Sequence, residues 1–450
     1  MNSSLANSDT NASSIRWLLV FWLFVLSAVA FLDRVNISVA GTMISAEFHL
    51  TKVELGWVFS AFLLGYALFQ TVGGRLADRF GSRRVLSGGV VWWGVFTAIT
   101  AAVPSQLPNA LLLFIAARFL LGAGEAVVYP ASNQFVARWI PATERGIANG
   151  WIFAGVGAGA GLTPPLITYI MHNYGWRSSF WFCSIVGLLA GLVWYSLSRD
   201  TPDQHPGVSH AELQTIRAGI RTESTPPNPR ETGIVSWATV LTSKEVLAVT
   251  LSYFCYGYVA WIFFSWFYIY LAEVRGLNLK SSAWYSTLPF LAMAITCPLG
   301  GLLNDSLTAR FSARVGRCGV ASAAMALTAV FLAAGSIVSS ARIASIVLAG
   351  GAGALYLSQS SFWSVTADIA GPSSGSVSGF MNMGAQIGGA VTASLTPVIA
   401  TSFGWTTSFW VASALSLLGA FSWLLVNPSE TLAVQLNSHS PILSSRSSET

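Results

Sequence analysis

The stretch RFLLGAGEAVVYP, residues 118–130, sets two charges inside an apolar run: Arg118 and, seven residues on, Glu125. Seven residues is two helical turns less about 20°, so on a helix both lie on one face, ~10 Å apart along the axis. A second pair, Asp33 and Arg34, interrupts another apolar run. Adjacent helical residues differ by about 100°, so one of these can look into an interior while the other pairs sideways. A charge at the centre of a bilayer costs at least ~2.5–3.5 kcal/mol. Burial disfavours the ionised form of a carboxyl, and a nearby cation favours it. A carboxyl held between those influences suits a proton site, loaded on one side of a barrier and emptied on the other. The plain alternative for Arg118 and Glu125 is a structural ion pair; for Asp33 and Arg34 it is a place at the lipid headgroups.

The elements that must position these charges are set by composition. Of 450 residues, 53% are hydrophobic and 9% charged, where a soluble chain carries about a quarter charged. Apolar runs long enough to span hydrocarbon, ~20 residues each, recur near 17–40, 55–76, 85–104, 107–137, 146–171, 177–197, 246–271, 284–303, 318–337, 342–368, 375–400 and 406–426. The expectation is an all-α integral membrane protein of twelve spans, with six-helix bundles at 17–197 and 246–426. A polar tail at 1–16, a linker at 198–245 and a tail at 427–450 complete it. With the termini on the inner side, the inner segments hold sixteen Lys and Arg and the outer ones five. By the positive-inside rule both termini are cytoplasmic. In the linker, Ser209 and Glu212 have the spacing of a capping box, and the Pro-rich piece beyond reads as a connector.

The two halves echo each other. GGRLAD (73–78) matches GGLLND (300–305) at an offset of 227, and YGWRSSFWF (174–182) matches FGWTTSFWV (403–411) at 229. Gly146 and Gly150 match Gly375 and Gly379 at the same 229. Such order indicates a duplicated six-helix unit in parallel orientation, with a site near the midplane between the copies and alternating exposure by rocking.

The loop GGRLADRFGSRR (73–84) resembles the signature between the second and third helices of the major facilitator superfamily. FLDRVNISVA (31–40), and RFLLGAGEAVVYP followed by ARWIPATERGIANG, resemble its anion:cation symporter branch, which includes carriers of hexuronate, galactonate and glucarate. The resemblance covers essentially the whole chain. It implies a proton-coupled symporter importing a small organic anion, typically a sugar acid, across the bacterial inner membrane. It further implies that Glu125 and Asp33 carry protons, that Asp33 pairs with Arg118, and that the neighbouring arginine holds the substrate carboxylate. Arg34 takes that role here, since a guanidinium grips a carboxylate with two donors and never loses its charge. Gly74, Asp78, Arg79, Gly81, Arg83 and Arg84 correspond to a cytoplasmic gate that latches the bundles. The second copy keeps Gly301 and Asp305 without the RxG continuation, so no full second latch is expected.

Tyr66, Tyr253, Ser360, Trp363 and Asn382 lie on spans that should line the cavity, where polar tips can meet hydroxyl groups; the alternative for each aromatic is bundle packing. Sugar-acid carriers of the branch tend to have Tyr or Gln at the positions of Phe31 and Val156, which leaves room for a less polar carboxylate, including an aromatic one. GVGAGAG (155–161) follows no strand and reads as close helix packing, not a dinucleotide loop. Asp368 reads as a loop charge. The four cysteines show no metal spacing and read as free thiols. No nucleophile–base pair, metal cluster or basic patch for nucleic acid is present, so no enzyme, no metal and no cofactor beyond the proton is expected. The expected partners are the organic anion and the bilayer, with the chain a monomer. A drug or cation exporter of the same fold, and a non-transporting sensor, stay open.

Overall fold

The structure is a computed structural model describing residues 13–50, 52–221, 235–267, 270–276, 279–430 and 432. The Pro-rich connector and most of both tails lie outside the described residues. In lipid every backbone N–H and C=O must be satisfied within the segment, and the apolar runs are accordingly helices.

The first bundle comprises α1 (Ile15–Phe48), α2 (Lys52–Phe80), α3 (Ser82–Ala102), α4 (Ala110–Glu125) continued by α5 (Val128–Trp139), α6 (Arg145–Tyr174) and α7 (Trp176–Leu197). α8 (His210–Arg221) and α9 (Trp237–Thr242) follow in the linker region. The second bundle comprises α10 (Lys244–Ser265), α11 (Leu279–Arg310), α12 (Val320–Ile337), α13 (Ala341–Leu357) continued by α14 (Gln359–Ala370), α15 (Ser374–Phe403) and α16 (Trp405–Ser422). By length and apolarity alone, nine helical stretches among the described residues could cross a membrane; one, Ala341–Thr392, takes in both the α13–α14 rod and part of α15.

The fourth rod of each bundle is broken at the corresponding place. Pro130 offers no N–H and its ring crowds the carbonyl of Ala126, so the helix yields at 126–127, immediately after Glu125. The second copy has no proline there. Its break is at Ser358, whose hydroxyl donates to Leu355 O at 2.6 Å, competing with the helix's own ladder. The repeated Gly-Trp turns are explained by backbone geometry. Gly175 and Gly404, at φ 81° and 87°, each close one helix and open the next in a region that L side chains avoid.

The bundles meet along two equivalent crossings, α2 with α15 and α6 with α11. A Cβ on Gly74 would strike the carbonyl of Gly375, and one on Gly301 the carbonyl of Gly146. At the first crossing, Asp78 accepts from the backbone N–H groups of Gly375 (2.9 Å) and Ser376 (2.7 Å). At the second, Asp305 accepts from those of Gly146 (2.9 Å) and Ile147 (2.7 Å). Each carboxylate thus sits on the N-terminus of a helix in the other bundle, where orphan donors and the dipole favour an anion.

The second copy makes the equivalent contact despite its missing RxG. The contact needs only an acid in the last turns of one helix and small residues opening the other. Two arginines of the first loop, Arg79 and Arg83, are engaged within their own bundle. Arg79 lies on Phe80, and Arg83 donates to Tyr195 O at 3.0 Å within its own bundle. Asp368 is no loop charge either. It is 6% exposed, bonded to Arg145 and, at 2.9 Å, to Arg317. Arg317 also reaches Asp305 at 2.9 Å. This network ties α6, α11 and α14 together at the end of the molecule that carries the linker, here termed the linker face.

Ser209 caps α8 as the spacing predicts, accepting from Glu212 N–H at 3.3 Å. Glu212 does not turn back to complete the box. Its buried carboxylate accepts from the Ser13 hydroxyl and from the backbone N–H groups of Ile15 (3.2 Å) and Arg16 (3.1 Å). It therefore caps α1, whose own N-cap residue, Ser14, makes no side-chain cap.

Two outcomes follow from these contacts. Glu212→Ala should cost about 1–2 kcal/mol, lower the thermal midpoint, and speed tryptic cleavage at Arg217 several-fold. Asp78→Ala and Asp305→Ala should each open the linker face. Spin labels at cysteines replacing exposed Arg84 and Arg314, one per bundle, should move apart, and the double variant should move them furthest. An unchanged distance distribution would remove the latch role.

Candidate functional site

Asp33 and Arg34 lie midway along α1, and Arg118 and Glu125 along α4. Asp33, Arg118 and Glu125 face the packed interior. Asp33 and Arg118 are each 1% exposed and Glu125 is 0% exposed. The close packing of α1 on α6 brings α1 inward: Gly155 and Gly159 of the small-residue run lie against the backbone of Phe24 and Ala28. The run's next glycine, Gly157, meets Ala294 of α11 on the other side, so it serves two crossings.

The two residues of the α1 pair diverge. Arg34 turns to the inner face, where its Nε donates to Glu125 Oε1 at 2.5 Å. Its guanidinium carbon stands 4.2 Å from the Tyr66 ring centroid, 4.7 Å from Phe31 and 5.5 Å from Phe62. Asp33 turns to α3, where the Thr97 hydroxyl donates to its Oδ2 at 2.9 Å. Arg118 packs over Phe62 at 5.0 Å. It makes no ion pair among the described residues, and its Nε and Nη1 have no hydrogen-bond partner.

The partner of Glu125 is therefore Arg34, neither Arg118 nor an unpaired environment. The expected Asp33–Arg118 pair is not closed to contact, although the two groups act on each other electrostatically. Arg34 reaches the acid because α1 crosses the bundle interior between α4 and α6, a tertiary fact that spacing along α4 does not contain. Four charges, two of each sign, share a volume from which water is largely excluded, and their sum is zero. Asp33 Oδ1, Glu125 Oε2 and Arg34 Nη2 also lack partners, so the cluster retains capacity to bind an anion and protons.

The second bundle faces this cluster with neutral groups. The Tyr253 hydroxyl of α10 accepts from Gln359 Nε2 at 2.9 Å and from Trp363 Nε1 at 3.1 Å. Trp363 in turn packs on Phe153 and Tyr129, with centroids at 5.0 and 5.8 Å. Asn382 of α15 interacts with the Tyr66 side chain, linking the bundles beside Arg34. Phe31 meets Phe264 of α10 at 6.3 Å. Ser360 is not brought to the site; its hydroxyl points to Cys297 O of α11 at 3.4 Å. Val156 is buried at 5% exposure.

Three residues of the site escaped the sequence reading. Thr97 gave no signal, being one of many small polar residues in apolar spans. Tyr129 and Gln359 were visible in principle. Each is a polar group within an apolar span, and each finds a partner, Ser27 at 3.0 Å for the tyrosine and Tyr253 for the amide.

Comparison with known proteins agrees with this architecture. The model of the Major Facilitator Superfamily matches residues 23–391, with a further match over 306–445. A probable sulfoacetate transporter of Cupriavidus necator is 33% identical over 402 residues, covering 89% of this chain and 91% of that protein. A probable galactarate/D-glucarate transporter of Bacillus subtilis is 31% identical over 301 residues, covering 66% of each. Among solved structures, the proton:xylose symporter XylE aligns over 95% of this chain and 100% of its own, with TM-score 0.70 at 16% identity, a likeness of fold. With twelve helical rods among the described residues, a duplicated bundle, a family match over most of its length and a relative aligned over about nine tenths of both chains, the chain belongs to the Major Facilitator Superfamily.

Proposed function

We propose that this protein is a proton-coupled symporter that imports a small organic anion by alternating access. The Arg34–Glu125 ion pair carries the reading. An incoming carboxylate or sulfonate competes with Glu125 for the Arg34 guanidinium. Once displaced, Glu125 would be an unpaired charge in a medium that penalises it severely, and binding a proton removes that charge. The cluster sums to zero before loading, and it returns to zero if each negative charge of the substrate arrives with one proton. In that condition the loaded carrier can turn without bare charge in the barrier. Asp33, held by Thr97 and within the field of Arg118, is the second proton site.

The neutral wall of Tyr253, Gln359, Trp363 and Asn382 receives the rest of the ligand. Its hydroxyl and amides suit a hydroxylated acid, as in the carriers named for galactarate and glucarate. Phe31 lying on Arg34 suits a short, less hydroxylated acid, as in the carrier named for sulfoacetate. Two- to six-carbon carboxylates and sulfonates span both. The linker face, holding the arginine-rich loops, is the cytoplasmic side of a bacterial inner membrane. A cation exporter is disfavoured, since the unpartnered donors of Arg118 suit an anion and not a cation.

The test uses the protein reconstituted in vesicles, with sulfoacetate, glucarate, hexuronate and a cationic drug as cargo. Arg34→Ala should weaken anion binding roughly 10- to 100-fold, the worth of a charge-assisted contact, with Arg34→Lys between. Glu125→Gln should abolish accumulation driven by an acid-outside gradient while exchange of internal for external substrate persists. Uptake by the wild type should rise as external pH falls. A Glu125→Gln protein that still accumulates substrate, or Arg34→Ala without effect on any anion, would overturn the reading.

A further inference from the structure

The repeat supplies its own control for the outer face of α2. Aligning GGRLAD with GGLLND sets Arg75 against Leu302. Leu302 is 50% exposed on α11, as a residue turned to hydrocarbon should be. Arg75 occupies the same place on α2 between Val72 and Leu76, themselves 49% and 39% exposed. A guanidinium among lipid-facing apolar side chains is retained only if its head finds polar company.

Arg75 has no ion pair among the described residues. Its Nη1 donates to Val235 O at 2.7 Å, and its guanidinium carbon stands 5.9 Å from the Trp237 ring centroid. Thr71, Val72, Arg75, Leu76 and Trp237 line a groove of about 350 Å³. Its walls come from α2 of the first bundle and α9, which leads into the second. The Val235 N–H is itself fixed by the Ser373 hydroxyl at 2.8 Å, so the groove's rim is built. One cation with spare donors, an indole beside it and apolar walls open to the bilayer match an anionic headgroup with its chain. They do not match a soluble anion, which has no use for Val72 and Leu76.

We propose that this groove binds an anionic phospholipid of the surrounding bilayer, with the headgroup on Arg75 beside Trp237 and an acyl chain along Val72 and Leu76. The lipid would bridge α2 of the first bundle and α9 of the linker at the linker face, where the Asp78 latch also lies, and so weight the state closed there.

The test measures lipid retention by the purified full-length protein in native mass spectrometry, comparing phosphatidylglycerol with phosphatidylcholine of the same chains. The wild type should retain phosphatidylglycerol preferentially. Arg75→Leu, the residue of the second copy, should reduce that preference roughly fivefold, the share of one arginine at a charged membrane surface. Arg75→Lys should keep it. Val72→Trp should lower retention of both lipids by filling the groove. Arg84→Gln, an exposed arginine elsewhere on the face, should leave the preference unchanged. The proposal fails if Arg75→Leu keeps the preference, or if Arg84→Gln loses it equally, which would mark a diffuse surface effect. It also fails if glycerol 1-phosphate displaces the lipid, which would mark a soluble-anion site.

Discussion

A buried charge must be balanced where it stands, and this molecule is arranged around that constraint. Arg34, Arg118, Asp33 and Glu125 sum to zero inside a shell from which water is largely excluded. At the ion pair the shell is aromatic. Phe31, Phe62 and Tyr66 surround the Arg34 guanidinium, whose cation is attracted to ring faces, which offsets part of the cost of leaving water. The balance is local and therefore easily disturbed by one added charge. In the proposed symport, a site neutral only as a set of four would answer an added anion by taking up a cation, and a displaced carboxylate would take a proton.

The same economy of charge recurs at the linker face. There the charges are spent on holding the bundles together. Asp78 and Asp305 each meet two backbone N–H groups at a helix start in the opposite bundle. The glycines that allow the close approach are those that made the two halves recognisable as copies. Gly74 and Gly301 sit on the helices that bring the acids; Gly146 and Gly375 open the helices that receive them. Duplication is thus more than ancestry in this fold. It gives two equal crossings, so that neither bundle is the fixed frame and the pair can rock about the axis between them.

The helical fold and the burial of the four central ions were legible in the sequence, because each rests on hydropathy or on the cost of a charge in lipid. These depend only on local composition. What was not legible depends on which helix faces which. Spacing on one helix suggested Arg118 as companion to Glu125. The helix that supplies the actual partner, α1, is ninety-one residues away. Asp368 looked like a loop charge because it follows an apolar run; only the approach of Arg145 and Arg317 from two other helices shows why it is buried. Glu212 had the spacing of a capping box, yet the helix start it caps is that of α1.

The two bundles are copies in backbone but not in chemistry, and that difference bears on how transport is divided between them. Among the described residues the first copy holds the four charges of the central cluster; the second faces it with Tyr253, Gln359, Trp363 and Asn382, which are neutral. If both copies carried ions, each turn of the carrier would separate charges across the widening gap and oppose itself. With the ions of the central cluster confined to one copy, the contacts parted beside that cluster are neutral, and the charged contacts between the bundles lie at the linker face. The broken fourth rods fit the same division. In the first copy the break falls directly after Glu125, so a change at that carboxyl is applied where α4 meets α5 and passes to the half-helix whose Asn133 bonds Thr366 of α14 at 3.0 Å. In the proposed symport, protonation of Glu125 would bear on the closed linker face through this one kink, set by Pro130.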